Sequence, residues 1–226
     1  MTPSISILTL SFGLILMPPR DVDMKQEPPR EVIITVDGKP HRTEPNQVIV
    51  LKGKFEDPKI RIEVSETRRF SNAGISFEYP AYFEWEFEQI EGAYNCWTMS
   101  GDETSIMVFD MEMEMTAKEH AESMSDTDFM RTESMSPITR ILGKSTLDGI
   151  RVVRNYADPE LKDLGLETTQ DIFDVPTPKG RSRLLLLNGV TPELKSDTDE
   201  FDFDSEEPKI VLKYLTKSFA VDQSGR

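Results

Sequence analysis

The chain has a single cysteine, Cys96, and only two histidines, His41 and His120. One cysteine excludes an intrachain disulfide and a cysteine-rich metal site. A thiol nucleophile also needs a nearby base, and two histidines supply few candidates. We therefore expect Cys96, which lies between Asn95 and Trp97 on a predicted strand, to be a small core residue.

Basic residues are also few. The chain has 26 Lys and Arg against 41 Asp and Glu, a formal net charge of −15. This balance argues against nucleic-acid binding, because a phosphate backbone needs local Lys and Arg, and against docking on anionic lipid. The acids concentrate in residues 84–133 and 197–207. Either one side of the molecule contacts a partner, or the acids form an ordinary solvated surface, which is the favoured interpretation.

Recognisable catalytic motifs are missing from the sequence. It has no Ser-His-Asp order, no nucleophile elbow and no glycine loop that would cradle a phosphate. Acids that alternate along a strand could hold a hard cation, but residues 197–204 lack the glycine turn of a calcium loop. Paired carboxylates need desolvation in a cleft to act as acid and base, and His120 is expected on the solvent side of a helix. We predict no catalytic, cofactor-binding or metal-binding residue, and no cofactor.

The longest hydrophobic run, Ile5–Met17, is too short to span a bilayer. Its length suits the apolar part of a signal peptide, yet no Lys or Arg precedes it and no small-x-small cleavage motif follows. An extracytoplasmic and a cytoplasmic location both stay open. Residues 1–30 are predicted to be a leader or disordered tail, with a linker at Met24–Arg30 and no stable membrane insertion of the mature chain.

Aromatic and acidic residues alternate from Phe83 to Glu88, as Phe-Glu-Trp-Glu-Phe-Glu. A strand has a period of two, so the aromatic rings face one way and the carboxylates the other. The pattern returns from Phe109 to Met115. Both segments predict half-buried strands of a mostly antiparallel sheet with one wet, acidic face. The run Arg183–Asn188 lacks alternation and predicts a strand covered on both faces.

Several methionines accompany these strands, and they allow two interpretations. They form either an adaptable apolar surface for a partner or core packing behind the acidic face. Core packing is favoured for the strand set. The methionines are those at positions 107, 111, 113, 115, 124, 130 and 135.

Residues 31–66 predict a short β-hairpin extension, too small to bury a core alone. Asp37-Gly38 supplies a tight turn after a first strand, and Ile60–Val64 alternates again as Ile-Arg-Ile-Glu-Val. We expect this extension to lengthen or cover the main sheet.

Residues 67–222 predict the main domain, a series of strands with two helices. The first helix is expected at Ala117–Met130, behind a capping box of Thr116 and Glu119. The second is expected at Lys209–Phe219, with Pro208 in its first turn.

The strand Gly-Ile-Ser-Phe-Glu-Tyr-Pro at Gly74–Pro80, the mid-chain helix and a closing helix that ends at Ser218-Phe219 occur together here. Over about residues 68–222 this arrangement resembles the PsbP-like family, which includes the extrinsic PsbP protein of photosystem II, bacterial DcrB proteins and a nuclear import factor that binds the GTPase Ran. The resemblance implies an α+β fold, an α/β/α sandwich with a central antiparallel sheet and packed helices. It also implies a binding role, because members of the family mostly bind partners.

The sequence therefore predicts a non-enzymatic protein-interaction or binding domain of PsbP-like type with a protein partner. Two alternatives stay open: a small hydrolase or transferase with a carboxylate-based site, and a cation-binding protein. The oligomeric state is not predicted.

Overall fold

The computed structural model describes residues 24–50, 57–124, 130–158, 166–177, 181–192 and 206–222. Within these segments the chain is mostly β. The strands are β1 (Val32–Val36), β2 (Lys39–Thr43), β3 (Ile60–Val64), β4 (Thr67–Asn72), β5 (Ile75–Pro80), β6 (Glu84–Ile90), β7 (Tyr94–Ser100), β8 (Thr104–Met111), β9 (Met130–Leu142), β10 (Ser145–Tyr156), β11 (Leu166–Val175), β12 (Ser182–Pro192) and β13 (Ala220–Val221). The helices are α1 (Ala117–Ser123) and α2 (Glu206–Ser218). In this part of the chain neither helix combines the length and apolar character needed to cross a membrane.

Seven strands form one large antiparallel sheet in the order β6-β7-β8-β12-β11-β10-β9. The chain forms β6, β7 and β8 as neighbours and then passes through α1 to the opposite edge. From there β9, β10, β11 and β12 pair in succession until β12 lies beside β8. The last strand of the series, β12, therefore lies in the interior of the sheet and joins its two halves.

A smaller sheet and a helix cover one face of the large sheet. The small sheet has the order β13-β5-β4, and α2 packs beside it. Rings of β4 and β5, among them Phe70 and Phe77, meet Trp97 of β7, and α2 adds Val211 and Leu215. This main core is rich in ring contacts, such as the Phe70–Phe77 stack with centroids 4.9 Å apart. In the described residues this is the larger of two clusters of buried apolar side chains.

The short helix α1 lies on the opposite face of the large sheet. It buries Ala117 and Ala121 against Ile172 and Val152 in a second apolar cluster. The predicted capping box at its start is confirmed, since Thr116 accepts the Glu119 backbone N–H at 3.2 Å and Glu119 accepts that of Thr116 at 2.8 Å. Small alanines let the helix approach the sheet closely.

Two of the predicted burial patterns are confirmed. On β6 the rings of Trp85 and Phe87 pack against the main core, while Glu84, Glu86 and Glu88 are exposed. The leucines of β12 alternate between the two clusters, with Leu185 and Leu187 in one and Leu184 and Leu186 in the other. The strand is covered on both faces as predicted.

The second acidic face, from Phe109 to Met115, was predicted wrongly. Strand β8 ends at Met111, so Glu112 and Glu114 lie beyond it. Within β8, Val108 packs into the main core and Met111 into the second cluster, which leaves no wet face. The same period of two continues past the point where hydrogen-bonded pairing stops, and periodicity alone does not reveal that point.

The predicted α+β fold, a helix-packed α/β/α sandwich, is also wrong. The described residues form three antiparallel sheets with two short helices. The helix expected at Ala117–Met130 ends at Ser123, and Met130 already begins β9. One face of the large sheet is covered largely by another sheet, because the strands β4 and β5 contribute the rings that fill that side.

The third sheet has the order β2-β1-β3 and belongs to residues 32–64. The expectation that these strands lengthen the main sheet is wrong, since they pair only with one another in the described ladders. The predicted turn at Asp37-Gly38 is confirmed, with φ of 49° and 79°. Positive φ at both positions gives the twist that joins β1 to β2.

The segment Met24–Arg30 lies against the main core. Trp97 donates its indole N–H to the Met24 carbonyl at 2.8 Å, and Trp85 donates to the Lys25 carbonyl at 3.3 Å. Arg68 forms an ion pair with Glu27. The backbone carbonyls of this segment thus accept hydrogen bonds from the N–H groups of two core indoles. A buried tryptophan N–H usually needs such an acceptor.

Candidate functional site

The lone cysteine is a core residue, as expected. Cys96 is 3% exposed and its Sγ lies 3.8 Å from the Thr98 hydroxyl. Burial raises the pKa of the thiol to about 11. The thiolate is the nucleophilic form, so Cys96 is inert at neutral pH.

His120 does not lie on the solvent side of its helix, contrary to the prediction. Its ring is half-buried against Phe109, with centroids 5.5 Å apart. Burial lowers the pKa of the imidazole, and the positive charge of Arg154 lowers it further. His120 is therefore a packing residue that stays neutral near pH 7. His41, the other histidine, lies on β2.

The acidic residues do not assemble a metal site in the described part of the chain. Glu84, Glu86 and Glu88 extend along β6 into solvent, and no group of three or more His, Cys, Asp or Glu side chains there is placed to hold a metal ion. Asp110 forms an ion pair with Arg181 at 2.8 Å. The alternating acids at residues 197–204 lie outside the described residues.

Most of the described methionines serve the interior, which confirms the core-packing interpretation. Met111 is buried in the second cluster, and Met107, Met115 and Met124 pack against it. Met113 and Met135 are exposed. The methionines do not form one continuous partner surface.

The most unusual surface of the described chain is β3, which is exposed at every position. Its three apolar residues, Ile60, Ile62 and Val64, are 61%, 65% and 53% exposed. Since they alternate along the strand, they lie on one face. Soluble proteins rarely leave such a row of large aliphatic side chains in water unless something binds there.

The backbone of β3 is open on one side. Among the described strands, β3 lies at an edge and pairs with β1 alone. Ser65 donates its N–H to Glu31 at 2.8 Å, and Asp37 donates to Lys59 at 3.0 Å. In an antiparallel ladder hydrogen-bonded pairs alternate, so the odd-numbered residues of this stretch face β1. The N–H and C=O groups of Ile60, Ile62 and Val64 therefore point away from β1.

Both ends of β3 are held in place. The Asp37 carboxylate accepts the Lys59 N–H at 2.9 Å. At the other end the Arg30 guanidinium donates two hydrogen bonds to the Ser65 carbonyl, at 3.2 and 2.9 Å. Because both ends are already fixed, β3 would lose little conformational entropy when another strand pairs with it. We call the outward side of Ile60–Val64 the β3 edge.

The sequence predicted no site residue and did not reveal the β3 edge. The pattern Ile-Arg-Ile-Glu-Val predicts one buried and one wet face, which is correct for most strands. Within the part of the chain that the structure describes, no helix or second sheet covers the apolar side of β3, and Ile60 and Ile62 are exposed.

Comparison with known proteins gives no assignment. No protein-family model matches the chain, and no curated protein matches it. The similarity to the PsbP-like family stays a prediction.

Proposed function

We propose that the protein is a non-catalytic interaction module that binds an extended segment of a partner protein along the β3 edge. One observation carries the proposal: the outward backbone groups and the exposed apolar side chains belong to the same residues, Ile60, Ile62 and Val64. Strand addition uses this combination, with main-chain hydrogen bonds for affinity and alternate side chains for specificity.

The partner segment is defined by its chemistry. It is an extended peptide whose alternate side chains are aliphatic or aromatic, since these would lie beside Ile60, Ile62 and Val64. Covering each exposed side chain contributes about 1 kcal/mol at the usual value per unit of apolar area. Arg61 and Glu63 project from the other face and pair with each other, so the apolar face governs the choice of partner.

The proposal agrees with the binding role that the PsbP-like resemblance implies, but it is supported by the β3 edge alone. Kinship with that family is a separate prediction. Neither the carboxylate-based hydrolase or transferase nor the cation-binding protein gains support from an observation on the described residues.

The test is selection of a random-peptide display library on the intact protein. The selected peptides are then synthesised, and their affinity is measured by fluorescence anisotropy. We expect enrichment of peptides with alternating apolar residues. Ile62→Lys should weaken their binding at least tenfold, about 1.4 kcal/mol, because it removes an apolar contact and places a charge on the edge. The melting temperature should not change, since the Ile62 side chain is already exposed.

Val48→Lys is the matched control. Val48 is 89% exposed and lies outside β3, so the same kind of substitution should leave peptide affinity within about twofold. Failure to enrich any such peptide, or equal weakening by both variants, would overturn the proposal. Sedimentation velocity tests whether a second copy of this chain binds the β3 edge instead. Dimers that Ile62→Lys abolishes would assign the edge to self-association.

A further inference from the structure

A cleft of about 360 Å³ lies between α2 and the large sheet, and none of its described lining residues belongs to the β3 edge. Its lining combines aliphatic side chains with a compact charged group. Leu187 of β12 and Val211 and Leu212 of α2 supply the aliphatic part. The charged group consists of Arg140, Arg151 and Asp171.

Asp171 is 5% exposed and accepts hydrogen bonds from both arginines. Arg151 donates from Nε and Nη2 at 2.7 and 2.8 Å, in the two-point geometry that suits a carboxylate. Arg140 donates from Nη2 at 2.9 Å. The three residues come from adjacent strands, since β11 pairs with β10 and β10 with β9.

The charges of this group do not cancel. One carboxylate neutralises one guanidinium, which leaves a net charge of +1 beside the cleft. No other acidic or basic side chain of the described residues lines it. The bonds to Asp171 also raise the pKa of Arg151, so this guanidinium keeps its charge at all ordinary pH values. Asp171 is the one acidic side chain among the described residues that line the cleft, so the second arginine has no carboxylate of its own there.

The side chains of Arg140 and Arg151 are 30% and 39% exposed. Their donors are therefore partly shielded from water but accessible from the cleft. Hydrogen bonds to a charged group gain strength in such a setting. The excess positive charge is also notable in a chain whose net charge is −15.

We propose that this cleft binds a small organic carboxylate. The carboxylate lies on the free donors of Arg140 and Arg151, and the apolar body of the ligand lies against Leu187, Val211 and Leu212. A single negative charge balances the local excess, which favours a carboxylate over a phosphate dianion. Thr104 and Asn188 also line the cleft and add polar groups to its wall.

Hexanoate is the probe, with hexanol as its neutral match, and binding to the intact protein is followed by amide chemical shifts in NMR. The chemical-shift changes should reach a plateau as hexanoate is added, and hexanol should give no such plateau. Arg140→Gln should weaken hexanoate binding about tenfold, because it removes a charge-assisted hydrogen bond to the carboxylate. Asp171 keeps its two bonds from Arg151 in this variant, so the fold should be preserved. Asp171→Asn should strengthen binding, because it removes the competing carboxylate.

Arg181→Gln is the control, since Arg181 pairs with Asp110 on the same sheet and does not line the cleft. It should leave hexanoate affinity unchanged. Opposite effects of Arg140→Gln and Asp171→Asn on hexanoate affinity would indicate a binding site. If the three residues only stabilise the fold, neither substitution should strengthen hexanoate binding. Equal binding of hexanol and hexanoate, or equal effects of Arg140→Gln and Arg181→Gln, would overturn the proposal. Tighter binding of inorganic phosphate than of hexanoate would overturn the carboxylate assignment.

Discussion

Glu207 accepts the backbone N–H of Thr104 at 2.9 Å, although the two residues lie 103 positions apart in the chain. The same carboxylate accepts the N–H groups of Glu103 at 2.7 Å and Asp102 at 3.3 Å, and the Tyr82 hydroxyl at 3.0 Å. It thereby joins the first turn of α2 to the turn between β7 and β8. These hydrogen bonds hold the first turn of α2 in place, and α2 forms one wall of the cleft that contains Arg140 and Arg151.

Replacement of this carboxylate should reduce stability. Glu207→Gln keeps the size of the side chain but turns one acceptor into a donor that faces backbone N–H groups. We expect the free energy of unfolding to fall by about 2–3 kcal/mol, measured by urea denaturation. Glu206→Gln is the control, because Glu206 is exposed and forms a surface ion pair with Lys209 at 3.5 Å. Its effect should stay within about 0.5 kcal/mol. Equal losses in both variants would show that the network is not stabilising.

Gly143 should not tolerate a side chain. It has φ of 56° in the turn between β9 and β10, and a Cβ there would overlap the Phe219 carbonyl. Gly143→Ala should cost about 3 kcal/mol or more, combining backbone strain with a clash against rigid main chain. Gly92 has φ of 76° and open space around its Cα, so Gly92→Ala should cost only the strain, about 1 kcal/mol. Thermal unfolding of both variants checks the difference.

The Cys96 thiol should resist modification in the folded protein. With a pKa of about 11, it carries little thiolate at about pH 8, where an unfolded cysteine is appreciably ionised. Aromatic disulfide reagents should react at least about a hundredfold more slowly with native than with denatured protein. Rapid native-state modification would contradict the burial of this side chain.

The same raised pKa predicts a pH dependence. Because the folded state favours the protonated thiol, the resulting stability is complete below the pKa of the unfolded thiol and is lost as pH rises towards about 11. The measurement is the difference in unfolding free energy between the wild type and Cys96→Ala, followed from neutral to alkaline pH. This difference isolates the thiol from the tyrosines, which titrate in the same range.

His120 predicts a pH dependence of the opposite sense. Its pKa is lowered in the folded protein, first by burial and then by Arg154. The folded state therefore favours the neutral ring, so this contribution is present above the ordinary histidine pKa and is lost as pH falls below about 6.5. Denaturation at neutral and mildly acidic pH should show a smaller acid-induced loss in His120→Gln than in the wild type. An identical loss in both proteins would exclude His120 as the cause.

The sequence predicted those parts of the fold that depend on local order. The alternation at β6 and the unbroken leucines of β12 each identify a burial pattern, because a strand's period is independent of its neighbours. The end of α1 was missed because residues after Ser123 still show apolar residues at helical spacing. The cover over the main core was assigned to helices, although the rings of Phe70 and Phe77 on β4 and β5 supply it.

The candidate sites were harder to predict. Asp171, Arg151 and Arg140 meet only because β11, β10 and β9 pair in a particular register, and Glu207 finds its partners about a hundred residues away. Neither arrangement has a local motif. The β3 edge is a candidate site because the side chain of Ile62 is exposed. The alternation of residues along a strand does not show whether another element packs on its apolar face.

The carbonyls of Met24 and Lys25 set a practical limit on how far the chain can be shortened from its amino end. Shortened proteins that begin before Met24 keep both acceptors for the indoles of Trp97 and Trp85. Those that begin after Lys25 leave two ring nitrogens to find water at the rim of the aromatic core. Tryptophan emission would then move to longer wavelength, which gives a simple optical check on where an expression boundary was drawn.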